Sequence, residues 1–203
     1  MQSHVRRRLS ALVLVPLLAL LVACASDDST PSSSSSSSDA DAHNDMDVSF
    51  ATDMISHHAQ AIEMADMAIS MGADAAVVEL ANQIKDAQQP EIDTMSGWLE
   101  AWDEPVPDTS MGSMSGMDHG DMGGGMPGMM TAEDMQSLDD ASGPEFDQLW
   151  LEMMTEHHEG AVEMAKTEVQ DGENTDAKAL AQTIIDAQEA EISTMEDLLG
   201  GSK

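Results

Sequence analysis

MISHHAQAIEMA occupies residues 54–65, and MTEHHEGAVEMA occupies residues 154–165. Each stretch sets a Met three residues ahead of a His-His pair and closes on Glu-Met-Ala. The correspondence does not stop at the motif. Residues 50–99 lie over 150–199 without a gap, with roughly two positions in five identical, as expected of an internal repeat. Leu80-Ala81 returns as Leu180-Ala181, Asp86-Ala87-Gln88 as Asp186-Ala187-Gln188, and Glu91-Ile92 as Glu191-Ile192. Two copies are too few for a solenoid, so the chain reads as a duplicated unit closing on itself.

Each unit reads as a helical hairpin. Apolar residues recur at 50, 54, 61, 64, 65 and 68, then at 77, 80, 84, 92, 95 and 99, which is helical spacing. Gly72 suits the C′ position of the first helix and Asp74 the N-cap of the next, with Gly172 and Asn174 as their counterparts. Pro144 fits the first turn of a third long helix, and Thr131 to Asp134 can cap a short extra one ending near Asp140. No segment alternates in the manner of a strand. The expected fold is therefore all-α: a four-helix bundle made of two duplicated hairpins. The repeats span about 48–102 and 143–200, and residues 103–142 hold a Met- and Gly-rich loop and the short helix.

The ends of the chain carry a different message. Arg6, Arg7 and Arg8 precede an apolar run that ends in Leu21-Val22-Ala23-Cys24, which reads as a signal peptide over 1–23. Its ending resembles a bacterial lipobox, implying that Cys24 carries lipid and anchors the chain to the outer face of a membrane in the cell envelope. Residues 24–47 are rich in Ser and Asp and read as a disordered tether. Cys24 is the single cysteine, so there is no disulfide framework and no thiolate metal site. The formal charge of −32 repels nucleic acid and attracts cations. Aromatic residues make up 2% of the chain and Tyr is absent, leaving the core to Ala, Leu, Ile, Val and Met.

With His57 at zero and about 100° per residue, Ala61, Met54, Ala65, His58 and Met64 fall on one arc, the apolar one. On the next helix Gln88, Glu91 and Met95 share the face of Ile84, Ile92 and Leu99. Each hairpin is thus expected to turn His and Met from one helix towards Gln, Glu and Met from the other. A Glu on an apolar stripe needs a partner, and an imidazole N–H is the nearest one available. Imidazole with thioether selects copper, Cu(I) above all, over the oxygen-seeking cations, with other transition metals as the wider class. The candidate metal residues are Met54, His57, His58, Met64, Glu91 and Met95, and their repeats Met154, His157, His158, Met164, Glu191 and Met195. The Gly-rich loop adds Met111, Met114, Met117, His119, Met122, Met126, Met129 and Met130, thioethers that core packing does not explain.

Two other readings compete with metal binding: a cell-surface helical interaction module, and a di-metal oxidase. The oxidase needs Glu-x-x-His pairs, but Met54 and Met154 stand three residues before His57 and His157. No phosphate loop or nucleophile–His–acid set occurs, so no catalytic residue is assigned.

The paired Met-x-x-His-His motifs, the Gln-x-x-Glu-Ile-x-x-Met partners at 88–95 and 188–195, the segment Gly125-Met-Pro-Gly-Met129 and Gly143-x-x-Phe146-Asp147 together resemble the bacterial family named domain of unknown function 305. The resemblance covers about Val48 to Leu199. It implies a ferritin-like four-helix bundle, typically secreted or lipid-anchored, with some members linked to copper binding and tolerance and no established catalytic activity. A copper-binding role in turn leaves room for a copper-handling protein partner. The second copy departs from the first by Gly160 in place of Gln60, and by a charged segment, Lys166 to Glu173, opposite Met67 and Met71. On this reading the second pair of helices holds metal less tightly.

Overall fold

The computed structural model describes residues 42–109 and 126–201. The signal peptide, Cys24, the tether before residue 42, and Met111, Met114, Met117, His119 and Met122 lie outside the described residues. Five helices follow in order: α1 (Asp45–Met71), α2 (Ala75–Ala101), α3 (Ala132–Asp140), α4 (Pro144–Asp171) and α5 (Thr175–Gly201). No strand occurs among the described residues. No helix among them is long and apolar enough to cross a membrane.

Local chemistry sets the helix ends. The Asn44 side chain accepts from the backbone N–H groups of Met46 and Asp47, and Asp47 answers by accepting from the Asn44 N–H, a reciprocal cap. Gly72 ends α1 at φ 69°, a left-handed conformation that costs glycine little. The Asp74 carboxylate then accepts from Ala76 N–H to start α2. Thr131 and Asp134 form the box that opens α3, and Pro144 sits in the first turn of α4. The Asn174 side chain caps α5 by accepting from Asp176 and Ala177 N–H.

Gly172 departs from its counterpart. At φ −68° and ψ 155° it is extended, not left-handed. What requires glycine there is space, because a Cβ would fall on the carboxyl group of Glu168.

α1 packs along α2 and α4 along α5, and the two hairpins meet chiefly through α1 and α4. All twelve apolar positions of the first repeat are buried. The largest buried side chain, Trp150, sends its indole N–H to the Met64 carbonyl at 2.8 Å, so its one polar atom is satisfied where α4 meets α1. The core falls into two parts. One holds Met64, Met154 and Met195 with Trp150 and Ile84; the other holds Met54 and Met95 with Phe50 and Ile184, and Met164 packs against it. Each part draws on both repeats, because α1 and α4 run antiparallel and cross near their histidines.

Candidate metal centre

All four motif histidines are buried at that crossing, each at most 1% exposed. They divide into two kinds. His58 and His158 keep to their own hairpins: His58 Nε2 lies 2.7 Å from Glu91 Oε2, and His158 Nε2 lies 2.8 Å from Glu191 Oε2. These are the imidazole–carboxylate pairs expected of a Glu on an apolar stripe. His57 and His157 instead meet each other across the hairpins, with ring centroids 3.7 Å apart and planes tilted by 40°. The two repeated motifs thus meet through this ring contact. The four imidazoles lie close together where the repeats meet.

The free ring nitrogens matter most for chemistry. His58 and His158 donate Nε2–H to their carboxylates, and His57 donates Nε2–H to the Pro127 carbonyl at 3.0 Å. In a neutral ring that tautomer leaves Nδ1 as a lone-pair donor. Nδ1 of His57, His58 and His158, and Nε2 of His157, are all buried without a protein partner. Burial, aided by the neighbouring His58 and His158, holds the His57 pKa down to about 3. Burial also holds His157 well below the ordinary range, with His57 next in effect. Both rings are neutral near pH 7, which is the ligand form. Nearby, both amide atoms of Gln88 and the amide oxygen of Gln188 are buried and unpartnered as well. Unpaired nitrogen lone pairs in a dry interior cost free energy unless something fills them, and a soft or borderline metal ion fits that need.

Of the thioethers expected to contribute, Met54, Met64, Met95, Met154 and Met195 are fully buried and Met164 is partly exposed. Among the described residues no three His, Asp or Glu side chains converge on one metal position.

The connecting segment breaks the twofold symmetry at this point. Residues 127–130 cross the bundle as a strap: Pro127 accepts from His57, while the Gln60 amide both donates to the Met130 carbonyl and accepts from Met130 N–H, each at 2.8 Å. Across the axis Gly160 supplies the space. A Cβ there would run into the Pro127 carbonyl. Gly128 (φ 73°) lies so close to α4 that its own Cβ would sit 2.6 Å from the Glu156 carbonyl. The exchange of Gln60 for Gly160 therefore divides the labour of one strap. A glycine in a helix interior, at about 1 kcal/mol against alanine, was the available signal of close backbone approach.

A second buried polar group went unnoticed in the sequence. Asp47 accepts from Asn174 N–H at 2.9 Å and from Glu173 N–H, fastening the start of α1 to the α4–α5 turn. Burial alone would raise the Asp47 pKa, but these N–H donors and that of Asn44 outweigh it and lower the value. Burial, then the neighbouring Asp47, push Glu168 up to about 8, which favours its protonated form at neutral pH; both its carboxyl oxygens are buried without a hydrogen-bond partner.

The comparisons with known proteins agree with this architecture. The family described as domain of unknown function (DUF305) matches residues 47–199. A DUF305 protein of Streptomyces coelicolor, described as secreted, is 35% identical with a TM-score of 0.65, over 80% of this chain and 94% of its own. A DUF305 fragment from Deinococcus radiodurans is 26% identical at a TM-score of 0.65, over 77% and 97% of the two chains. CopM in its Cu(I)-bound form is 29% identical at a TM-score of 0.61, over 76% of this chain and 96% of its own; it also has solved Cu(II)-bound and silver-bound forms. No curated protein matches. With its family match spanning both hairpins and the strap, the chain belongs to the DUF305 family.

Proposed function

We propose that the protein binds copper, Cu(I) in preference, outside the cytoplasm, as a buffer or carrier anchored through lipid on Cys24. One observation carries the reading: four buried imidazoles present unpartnered nitrogens inside a bundle whose core holds buried methionines from both repeats. Neutral imidazole and thioether together form a soft, uncharged donor set, which suits a monovalent copper ion. Glu91 and Glu191 fix the tautomers of His58 and His158, and the methionines at 54, 64, 95, 154, 164 and 195 complete the shell. CopM, similar along most of its length, has Cu(I)-bound and Cu(II)-bound forms, which supports a copper role. The loop residues from Met111 to Met130 capture incoming copper and pass it to the buried cluster. A di-metal oxidase would need Glu-x-x-His pairs, and Met54 and Met154 stand where those Glu residues would be.

The test is a Cu(I) competition titration of the full chain against a chromophoric chelator. Replacing His57 and His157 together with Ala should weaken binding in both halves at once, because these rings meet. Affinity equal to the parent's in that variant would contradict the proposal. Replacing His58 and His158 should weaken binding as well, each through its own half.

A further inference from the structure

Three methionines gather at one edge of the core: Met130 lies within it, and Met67 and Met135 pack against it. Met67 on α1, Met135 on α3 and Met130 on the strap line one open groove of about 450 Å³, with Glu63, Gln60 and Asp139 around them. Met67 and Met135 are partly exposed, resting on the core from outside, whereas Met130 is 8% exposed. Solvent reaches this groove; it does not reach Met54 or Met95, which are fully buried. The second repeat has no equivalent, since Thr167 replaces Met67 and the strap crosses only once.

Packing alone does not explain the composition. Leu would cover the core as well at each position, and volume-conserving exchanges cost little. Three thioethers beside two carboxylates make a different chemical statement. The carboxylates of Glu63 and Asp139 draw a cation in. The sulfur atoms then select among cations, because Ca²⁺ and Mg²⁺ require six or more oxygen ligands and take thioether poorly. We infer that Met67, Met130 and Met135 form a separate, solvent-accessible site for a monovalent soft cation, Cu(I) or Ag(I), alongside the buried imidazole cluster. The site extends the copper reading given above but uses none of its histidines. It shares the strap with them: Met130 is clamped by Gln60, and three residues earlier Pro127 holds His57. That places the groove at the outer end of the same short segment that covers the cluster.

The experiment uses the full chain labelled with ¹³C at the methionine methyl groups and titrated with Ag(I). Single Met→Leu variants assign the resonances, and far-UV circular dichroism checks that each variant folds. The methyl signals of Met67, Met130 and Met135 should shift together, and should still do so in the His57→Ala, His157→Ala double variant. Met67→Leu with Met135→Leu should lower the silver stoichiometry by one ion. If these three signals stay fixed while Met54, Met95 or the imidazole resonances move, the groove is packing only and the copper reading survives. If no methionine or imidazole signal moves, both fall.

Discussion

The buried imidazoles make the metal-free protein sensitive to acid, and His57 lets the size be worked out. In the unfolded chain its pKa is about 6.5; in the fold burial holds it down to about 3. Between those values the unfolded state takes up a proton that the folded state refuses. Stability from this group is therefore complete above pH 6.5 and falls as the pH drops. At about 1.4 kcal/mol per pH unit, going from pH 7 to pH 5 removes about 2 kcal/mol through His57. His157 acts in the same direction. Glu168 and Asp53 are shifted upward and act oppositely, so the total is not the cleanest observable. A difference is. We expect His57→Gln to be less stable than the parent at pH 7, with the gap narrowing by about 2 kcal/mol at pH 5, since distant terms cancel. Urea unfolding followed by far-UV circular dichroism, with chelator present, measures both proteins at both pH values. A gap that stays constant would mean that His57 titrates normally in the fold, and the argument for a dry, neutral imidazole pair would fail.

Three further outcomes are expected. Gly160→Ala should expel the strap, breaking the His57–Pro127 and Gln60–Met130 hydrogen bonds at a cost of about 2–4 kcal/mol, and open residues 126–130 to proteolysis; parental melting and protease resistance would refute the close approach. Glu168→Gln should gain on the parent as pH rises. The raised Glu168 pKa stabilises the fold fully below about 4.5 and ceases to do so as pH climbs through about 8, on the order of 1 kcal/mol per unit; a pH-independent difference in urea midpoints would contradict this. Cys24→Ser should move the protein from the detergent phase to the aqueous phase on partitioning, and unchanged partitioning would remove the lipid anchor.

Much of this architecture is legible in the sequence because helices translate spacing into direction. The apolar positions from Phe50 to Leu99 are buried as their period requires, and Gln88, Glu91 and Met95 share a face. The pairing of His58 with Glu91 follows from the cost of an unpartnered carboxylate on that face. What spacing along one helix does not encode is the crossing of two. The contact of His57 with His157, and the mixing of methionines from both repeats in each half of the core, depend on how α1 meets α4. The strap is non-local for the same reason: a carbonyl at Pro127 has no side-chain signature. Glu168 was readable. It occupies the register of the buried Ala68, and a carboxyl group at an apolar position announces a partner.

X-ray absorption at the copper edge of the Cu(I)-loaded full chain tests the central claim most directly. The account predicts a mixed first shell of imidazole nitrogen and thioether sulfur, with the nitrogen contribution reduced in the His57→Ala, His157→Ala variant. A shell of light atoms without sulfur, or a nitrogen contribution that survives that substitution unchanged, would contradict it.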